Sequence, residues 1–423
     1  MKHWRHILGT LFILSTITFG QTYLDFPIGT NWQFTDARTL GMGGAGIASL
    51  GGSASLMHNP ATIGLQPAGL HIQLHPTLRK LQETRAYPLY NRIDDVIYQS
   101  IYAANNHYFT TWQGGISWKP RKPLFNHLIA VGAGLFTERN LDYRYNEEVR
   151  ENVFGDSLLA RNQLSYQGTI RRFTVGAVLR IVPWLNLGMQ VGILRGNIVH
   201  DSTINFYRGD QNDVRVIQNW NLQNTPVVFS VGTLIRVTPH LSLGSVVQLP
   251  YTMRYQQFPD NALIALNFPL QFAIGMEYRA RQELQTRLNI DFSYEFWSRT
   301  NSLRDDIPYL TLLQDSWAIK AGVEHIFFNK IPFRAGIQYR TSPRDRGTVQ
   351  TAITAGTGFF GNGWQVDVAG GFSSLEYKYP DLFDDSLYGG NRVASTLDTV
   401  HELQFFGRIS LSININALRG SNN

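Results

Sequence analysis

Residues 288–297 read LNIDFSYEFW, with an apolar side chain at every second position. Leu288, Ile290, Phe292, Tyr294 and Phe296 fall on one side, and Asn289, Asp291, Ser293 and Glu295 on the other. Side chains of a strand point alternately to opposite faces, so one face here is wholly apolar and the other carries two acids. The pattern recurs. Leu270, Phe272, Ile274, Met276 and Tyr278 alternate with Gln271, Gly275, Glu277 and Arg279. Phe333, Ala335, Ile337 and Tyr339 alternate with Arg334, Gln338 and Arg340, and Phe405, Ile409, Leu411, Ile413 and Ile415 with Gln404, Arg408, Ser410, Ser412 and Asn414. Strands of soluble sandwiches usually run about 5–6 residues, whereas a strand crossing a bilayer needs about 9–11. Long alternation with an unbroken apolar face constrains the chain to an all-β fold, a transmembrane antiparallel β-barrel with lipid outside and a polar lumen inside.

The composition fits that architecture. Charged residues make up 16% and aromatics 13%, yet the mean hydropathy is only −0.17; a soluble domain has about 25% charged residues. No stretch after residue 20 approaches the ~20 apolar residues of a membrane helix. The formal charge of +6 comes from scattered Lys and Arg, with no basic block longer than Arg171-Arg172. That spread indicates solvated loops and lumen charges, not a nucleic-acid surface. The absence of Cys excludes disulfides, a lipoprotein anchor, thiol catalysis and cysteine metal sites.

About 14 strands are expected, an even number as bacterial barrels require. They lie near 69–79, 106–119, 126–145, 163–182, 185–200, 226–238, 241–256, 270–281, 285–297, 315–328, 332–343, 351–362, 364–379 and 399–415. Every second connection is short: KPRKPLFN, VPWLN, VTPHL, ARQELQ, FNKIP and GNGW. The others, 80–105, 144–162, 201–225, 257–269, 298–314 and 380–398, are long, with 344–350 the exception. Short turns at one end and long loops at the other are the asymmetry of an outer-membrane barrel, which puts both termini on the short-turn, periplasmic side. Trp118, Trp184 and Trp364 stand beside short turns, where an aromatic girdle lies, and Pro120, Pro123, Pro183, Pro239 and Pro332 lie in or beside them.

Residues 1–20 have the form of a secretory signal: a basic start at Lys2 and Arg5, an apolar run from Ile7 to Phe19, and small residues at Thr18 and Gly20 before a cut at Gln21. Residues 21–68 form an N-terminal plug segment and 69–423 the barrel. Within the segment, residues 36–61 (DARTLGMGGAGIASLGGSASLMHNPA) are rich in Gly, Ala and Ser and look unlike the strands. Gly41, Gly43, Gly44, Gly46, Gly51 and Gly52 allow tight turns and close packing, as a compact plug in the lumen needs. Gly41 to Gly46 also match the dinucleotide fingerprint G-x-G-x-x-G, but no apolar strand precedes them and no acid follows about 20 residues on.

These residues resemble the FadL-like outer-membrane transporters, which have PorV-type proteins of type IX secretion as relatives. The resemblance rests first on the Gly/Ala segment ending in Asn59-Pro60-Ala61. It continues in Pro269, Gly275, Tyr278, Asp291, Tyr294, Trp297 and Ser298, then in Trp317, Gly322-Val323-Glu324, Arg334-Ala335-Gly336, Tyr339 and Ser342-Pro343. One departure is that the plug reads GGSASLMH, without the acidic pair common before NPA in fatty-acid transporters. The resemblance implies an outer-membrane barrel of a Gram-negative-type bacterium that takes up hydrophobic small molecules, long-chain fatty acids or aromatic hydrocarbons. The alternative is a PorV-like barrel that partners secretion-system proteins. The partners implied are outer-membrane lipid and the hydrophobic ligand, or secretion-system proteins on the alternative reading, and no nucleic acid.

Glu277, Arg279, Asp291, Glu295, Lys320, Glu324, Arg334, Arg340, Asp367 and Arg408 should point inward and pair across strands, with the plug or with water. Arg334, Arg340 and Arg408 are candidates for holding an anionic headgroup, because a guanidinium presents a bidentate fork to a carboxylate. Gly132 and Gly134 in the third strand are candidates for the lateral gate that the resemblance implies, since Gly in a strand marks a bend or bulge. His71 and His75 share a strand face but have no third ligand nearby, and no metal or cofactor is implied. Ser53, Ser55 and His58 show no catalytic pattern. The sign of a hydrolase would be a Ser, a His and an acid at one height on adjacent strands; without it, the chain reads as a non-enzyme.

Overall fold

The computed structural model describes residues 22–29, 34–93, 95–151, 157–208, 211–280, 285–300, 313–328, 331–345, 347–389 and 396–416. The expected signal segment lies outside these residues, as do parts of the connections 280–285, 298–314, 328–332 and 380–398.

The strands are β1 (Gly69–Tyr90), β2 (Val96–Lys119), β3 (Leu128–Asn140), β4 (Tyr143–Arg150), β5 (Leu158–Val182), β6 (Leu185–Arg195) and β7 (Asn197–Phe206). Next come β8 (Val214–Leu222), β9 (Val227–Arg236), β10 (Leu241–Gln248), β11 (Tyr251–Phe258), β12 (Ala262–Phe268) and β13 (Gln271–Arg279). The last are β14 (Thr286–Glu295), β15 (Ser316–Phe327), β16 (Ile331–Thr341), β17 (Val349–Gly361), β18 (Trp364–Pro380) and β19 (Leu397–Asn414). They form one 19-stranded antiparallel sheet. β3 with β4, β6 with β7, β8 with β9, β10 with β11 and β12 with β13 each make one broken stave, which leaves the 14 staves the alternation predicts. β19 returns to pair with β1, from His71 with Asn414 to Ala86 with Thr399, and closes the barrel.

The two faces separate as the sequence implies. Ile274, Ile290, Ile319, Phe333, Ile337, Val368 and Ile409 are exposed on the outer wall, where lipid covers them. Trp118, Trp184 and Trp364 are exposed beside the short turns, the position of an interfacial aromatic girdle. Inside, Glu277, Asp291, Glu295, Lys320, Glu324, Arg334, Arg340, Asp367 and Arg408 are all buried.

Two expectations need correction. First, 80–105, 144–162, 201–225 and 257–269 are mostly strand and not loop. Above the membrane the outer face meets water, so polar residues such as Arg144, Asn146 and Arg215 occupy positions that would be apolar lower down, and the alternation fades from the sequence. These extensions pair in the order β4, upper β5, β7, β8, β11, β12. They separate from the lower wall where Gly196 takes φ +154° and where Pro226, Pro250 and Pro269 interrupt staves. Second, the first described residues are not at the short-turn end. Thr22 to Ile28 run through the upper lumen, and Thr22 Oγ1 donates to Glu402 Oε1 at 2.9 Å. Near the other end of the described chain, Asn414 donates to Ala68 O at the short-turn rim.

Candidate functional site

The plug begins with a short helix, α1 (Ala37–Gly41). Asp36 Oδ1 accepts from Thr39 N–H at 2.7 Å and Thr39 Oγ1 accepts from Asp36 N–H at 3.1 Å, a reciprocal cap that satisfies two orphan donors. At the far end Asn59 caps the 3-10 turn Pro60–Leu65 by accepting from Ala61 N–H at 3.0 Å. Pro60 sits at the first helical position, where no donor is needed. The Asn59 amide donates to Ile47 O at 2.8 Å and Thr233 O at 2.9 Å, tying the plug to itself and to β9.

The wall that receives the plug is lined by glycines paired across strands. Gly188 faces Gly232, Gly244 faces Gly275, Gly322 faces Gly336, and Gly132 faces Gly176. A side chain at any of the first six would run into the plug. The Cβ position at Gly188 overlaps Ala61 N, that at Gly232 overlaps Asn59, and that at Gly336 overlaps Gly43 N. At Gly244 it lies 2.5 Å from Ile47 O, at Gly275 2.6 Å from Ile47 Cβ, and at Gly322 2.5 Å from Met42 O. The plug answers with its own glycines: Gly41 packs on Gly356, and Gly43 turns at φ +67° against Ile337 backbone. The plug is thus keyed into the wall through backbone contact. Gly44 (φ +85°) and Gly46 complete its turns.

Polar latches surround this belt. Asp291 Oδ2 accepts from Gly46 N–H at 2.6 Å and Ile47 N–H at 3.0 Å. Thr354 Oγ1 accepts from Gly43 N–H at 3.0 Å, and Gln73 Oε1 from Ser53 N–H at 2.6 Å. Arg38 of the plug grips both oxygens of Glu324 at 3.1 and 3.2 Å. Burial opposes the Arg38 charge, but Glu324 and Glu277 hold the guanidinium protonated beyond its ordinary range. Lys119 Nζ donates to Gly64 O and Gln66 O, both at 2.8 Å. Part of the buried lumen charge therefore seats the plug, while Arg334 pairs with Asp367 and Glu277 with Arg279 on the wall, which meets the demand that buried ions be paired.

Of the headgroup candidates, Arg334 is taken by Glu324 at 2.6 Å and Asp367 at 2.7 Å. Arg340 lies buried beside Glu295, Lys320 and Gln338. Arg408 donates to Thr77 Oγ1 at 2.7 Å and to Phe34 O, and it lines a cavity of about 90 Å³ above the plug together with Arg79, Phe34, Leu40, Met57 and Phe406. His71 Nε2 meets Pro67 O at 3.0 Å, which leaves it holding the end of the plug segment. His75 Nδ1 shares a hydrogen bond with Ser410 Oγ at 2.8 Å on the neighbouring strand. This is the His–Ser part of the hydrolase signature, but Ser410 Oγ accepts from Ala37 N–H at 2.7 Å and Asp36 is spent capping α1.

Above that cavity the lumen is filled by aromatic side chains. Tyr143, Tyr145, Tyr166, Trp220, Tyr255 and Phe268 from the upper strands form one core with Ile28. Phe26 packs on Tyr166 at 4.1 Å and Trp220 at 5.5 Å, and Tyr23 on Tyr143 at 5.0 Å. The sequence signal for this N-terminal contribution, YLDF, is too short to read as an element.

The seam between β2 and β3 is incomplete. β2 pairs with β3 only from Gly114–Leu135 to Trp118–Val131. Higher up, side chains span the seam: Gln113 Oε1 accepts from Thr137 N–H at 3.4 Å, and Asn105 Oδ1 from Asn146 N–H at 2.8 Å. β3 is irregular at Leu128/Ala130 and Thr137/Arg139, and a bulge bends a strand and disrupts its ladder. Gly132 and Gly134 sit in the paired part just below; the space a Gly134 side chain would need is filled by the Phe136 ring. Thr111, Gln113 and Thr137 from the seam line the cavity over the plug.

No family model and no curated protein matches this chain. Solved structures do. A Pseudomonas aeruginosa FadL homologue superposes with TM-score 0.63 at 14% identity, covering 90% of this chain and 98% of that one. The Ralstonia pickettii toluene transporter TbuX gives 0.59 at 16% identity (91% and 99% covered), and the P. putida toluene transporter TodX 0.58 at 14% (91% and 99%). The chain has the plugged-barrel fold of these FadL-like channels, and the resemblance carried by its NPA segment and its strand motifs holds at the level of the fold.

Proposed function

We propose that this protein is a passive channel of the outer membrane that takes up hydrophobic small molecules and releases them sideways, through the β2–β3 seam, into the bilayer. Residues 1–20 act as the export signal, 21–68 close the lumen, and Gly132 and Gly134 sit at the foot of the gate. The carrying observation is the coincidence of three features. A core of aromatic side chains lies over a cavity, the cavity has a keyed plug as its floor, and the cavity touches the wall where the ladder stops. With the axial path shut by backbone contacts over several staves, the seam is the path of least rearrangement.

Transfer of apolar surface from water, worth about 25 cal/mol per Å² buried, supplies the driving force without coupled energy. The TbuX and TodX names speak for an aromatic hydrocarbon, and a cavity of about 90 Å³ suits a small ring better than a long chain. Arg408, on the cavity wall, would contact a ligand that carries a carboxylate. No catalytic role is assigned, because Ser410, His75 and Asp36 are occupied in anchoring α1.

The test is uptake. In a Gram-negative host lacking its own channels of this kind, expression should raise the entry rate of labelled toluene well above the empty vector, and that of labelled oleate less. Rates equal to the vector for both compounds would sink the reading.

A further inference from the structure

Below the seam the outer wall carries a groove of about 540 Å³. Ile116 and Trp118 of β2 form one bank and Met189 and Val191 of β6 the other, with Ala133 and Ala177 between them. All four bank residues are exposed, so the groove faces the bilayer and not the lumen. Its volume falls within the roughly 300–1,000 Å³ of ordinary ligand pockets, and it is several times larger than the cavity over the plug.

The turn joining β2 to β3 hangs directly beneath. It reads PRKPLFNH, with Arg121 and Lys122 and no acid. Both cations are exposed, and Phe125 at the tip is 92% exposed. An aromatic side chain next to basic residues at the edge of an apolar band is the arrangement of a headgroup-level anchor.

We propose that this face binds one anionic phospholipid of the inner leaflet, with an acyl chain in the β2–β6 groove and its phosphate on Arg121 and Lys122. Three features select this occupant. The groove lies in the lipid-facing band, it is apolar along its length, and its lower end meets positive charge without a competing carboxylate in the turn. The bound chain lies on the outer face of the paired segment beneath the seam, so it forms the wall's lipid boundary where a released ligand would enter the bilayer.

The experiment uses delipidated full-length protein in detergent, to which phosphatidylglycerol or phosphatidylethanolamine is added, with native mass spectrometry counting retained lipid. Wild type should keep one phosphatidylglycerol in preference to phosphatidylethanolamine. Arg121→Glu with Lys122→Glu should cut that preference about thirtyfold, given roughly one kcal/mol per basic residue at an anionic surface. Ala177→Trp, which fills the groove from outside, should lower retention of both lipids. The double turn variant leaves the wall untouched and serves where Ala177→Trp assembles poorly, as judged by heat-modifiable gel mobility. Equal retention in all three proteins, or retention without headgroup preference in wild type, would mean ordinary annular lipid only and would overturn the proposal.

Discussion

β2 has two edges, and they behave differently. Along one it pairs with β1 from Gly69–Lys119 up to Tyr90–Val96. Along the other its ladder to β3 ends at Gly114. The same backbone and side chains thus make both a complete seam and an incomplete one, so strand propensity in β2 is not the cause. The neighbour is. β1 is regular until Arg85/Ala86, whereas β3 bulges at both ends and turns Glu138 and Arg139 inward together. Gln113 spans the gap with one long hydrogen bond from Thr137 N–H, while its amide N–H donates to Thr35 O of the plug. An opening in a barrel wall can therefore be built from one strand that misfits its neighbour.

The largest effect on this contrast should come from removing the plug. Deleting residues 36–61 takes away the floor of the cavity and opens an axial path. The barrel should still assemble, and planar-bilayer conductance and sensitivity to large antibiotics should both rise steeply. Unchanged conductance would mean that the plug does not seal the lumen.

Gly188→Val comes next. Its side chain would overlap Ala61 backbone, and overpacking of this kind costs about 1–3 kcal/mol. The plug should shift in part, giving flickering leak currents, while Gly407→Val, where the nearest backbone atom is 3.8 Å away, should stay quiet.

A smaller effect is expected at the seam itself. Gln113→Ala removes one hydrogen bond across the gap and one to the plug, each worth about 1 kcal/mol. Amide exchange at Thr137 should speed up with little change at β1, and equal acceleration on both edges of β2 would erase the distinction drawn between them.

The smallest is a pH effect in the upper sheet. Burial pushes the Glu147 carboxyl up to about 7 from 4.5, against the hydrogen bond from Asn162. A raised folded pKa means that the unfolded chain ionises first, so stability of this region falls as pH rises from about 4.5 to 7 and is greatest below that window. Exchange of β4 amides should be slower at pH 5 than at pH 7.5 after correction for intrinsic rates, and Glu147→Gln should flatten the difference.

Much of this was legible from alternation. The 14 staves, the short turns and the inward charges follow from a period of two, because lipid imposes a strict pattern on one face. The upper extensions escaped notice because water lies on their outer face and relaxes the pattern. The keying of the plug was half visible: Gly41, Gly43, Gly44 and Gly46 are adjacent in sequence. The wall glycines that meet the plug, Gly188, Gly232, Gly322 and Gly336, lie far apart and become a belt only once the register aligns them. The incomplete seam left almost no trace, since bulges at Leu128/Ala130 and Thr137/Arg139 depend on fit to neighbours and not on a residue pattern. Gly132 and Gly134 lie in the paired part of β3, and the ladder to β2 ends above them.

The most direct test of sideways release closes the seam and leaves all else in place. The chain has no cysteine, so Thr111→Cys with Thr137→Cys provides two unique thiols at the gap, which a cleavable bifunctional maleimide can bridge. Labelled toluene uptake should collapse on bridging, return when the linker is cleaved, and stay normal in either single variant. Uptake that persists undiminished with the seam bridged would contradict lateral release and move the path to the plug.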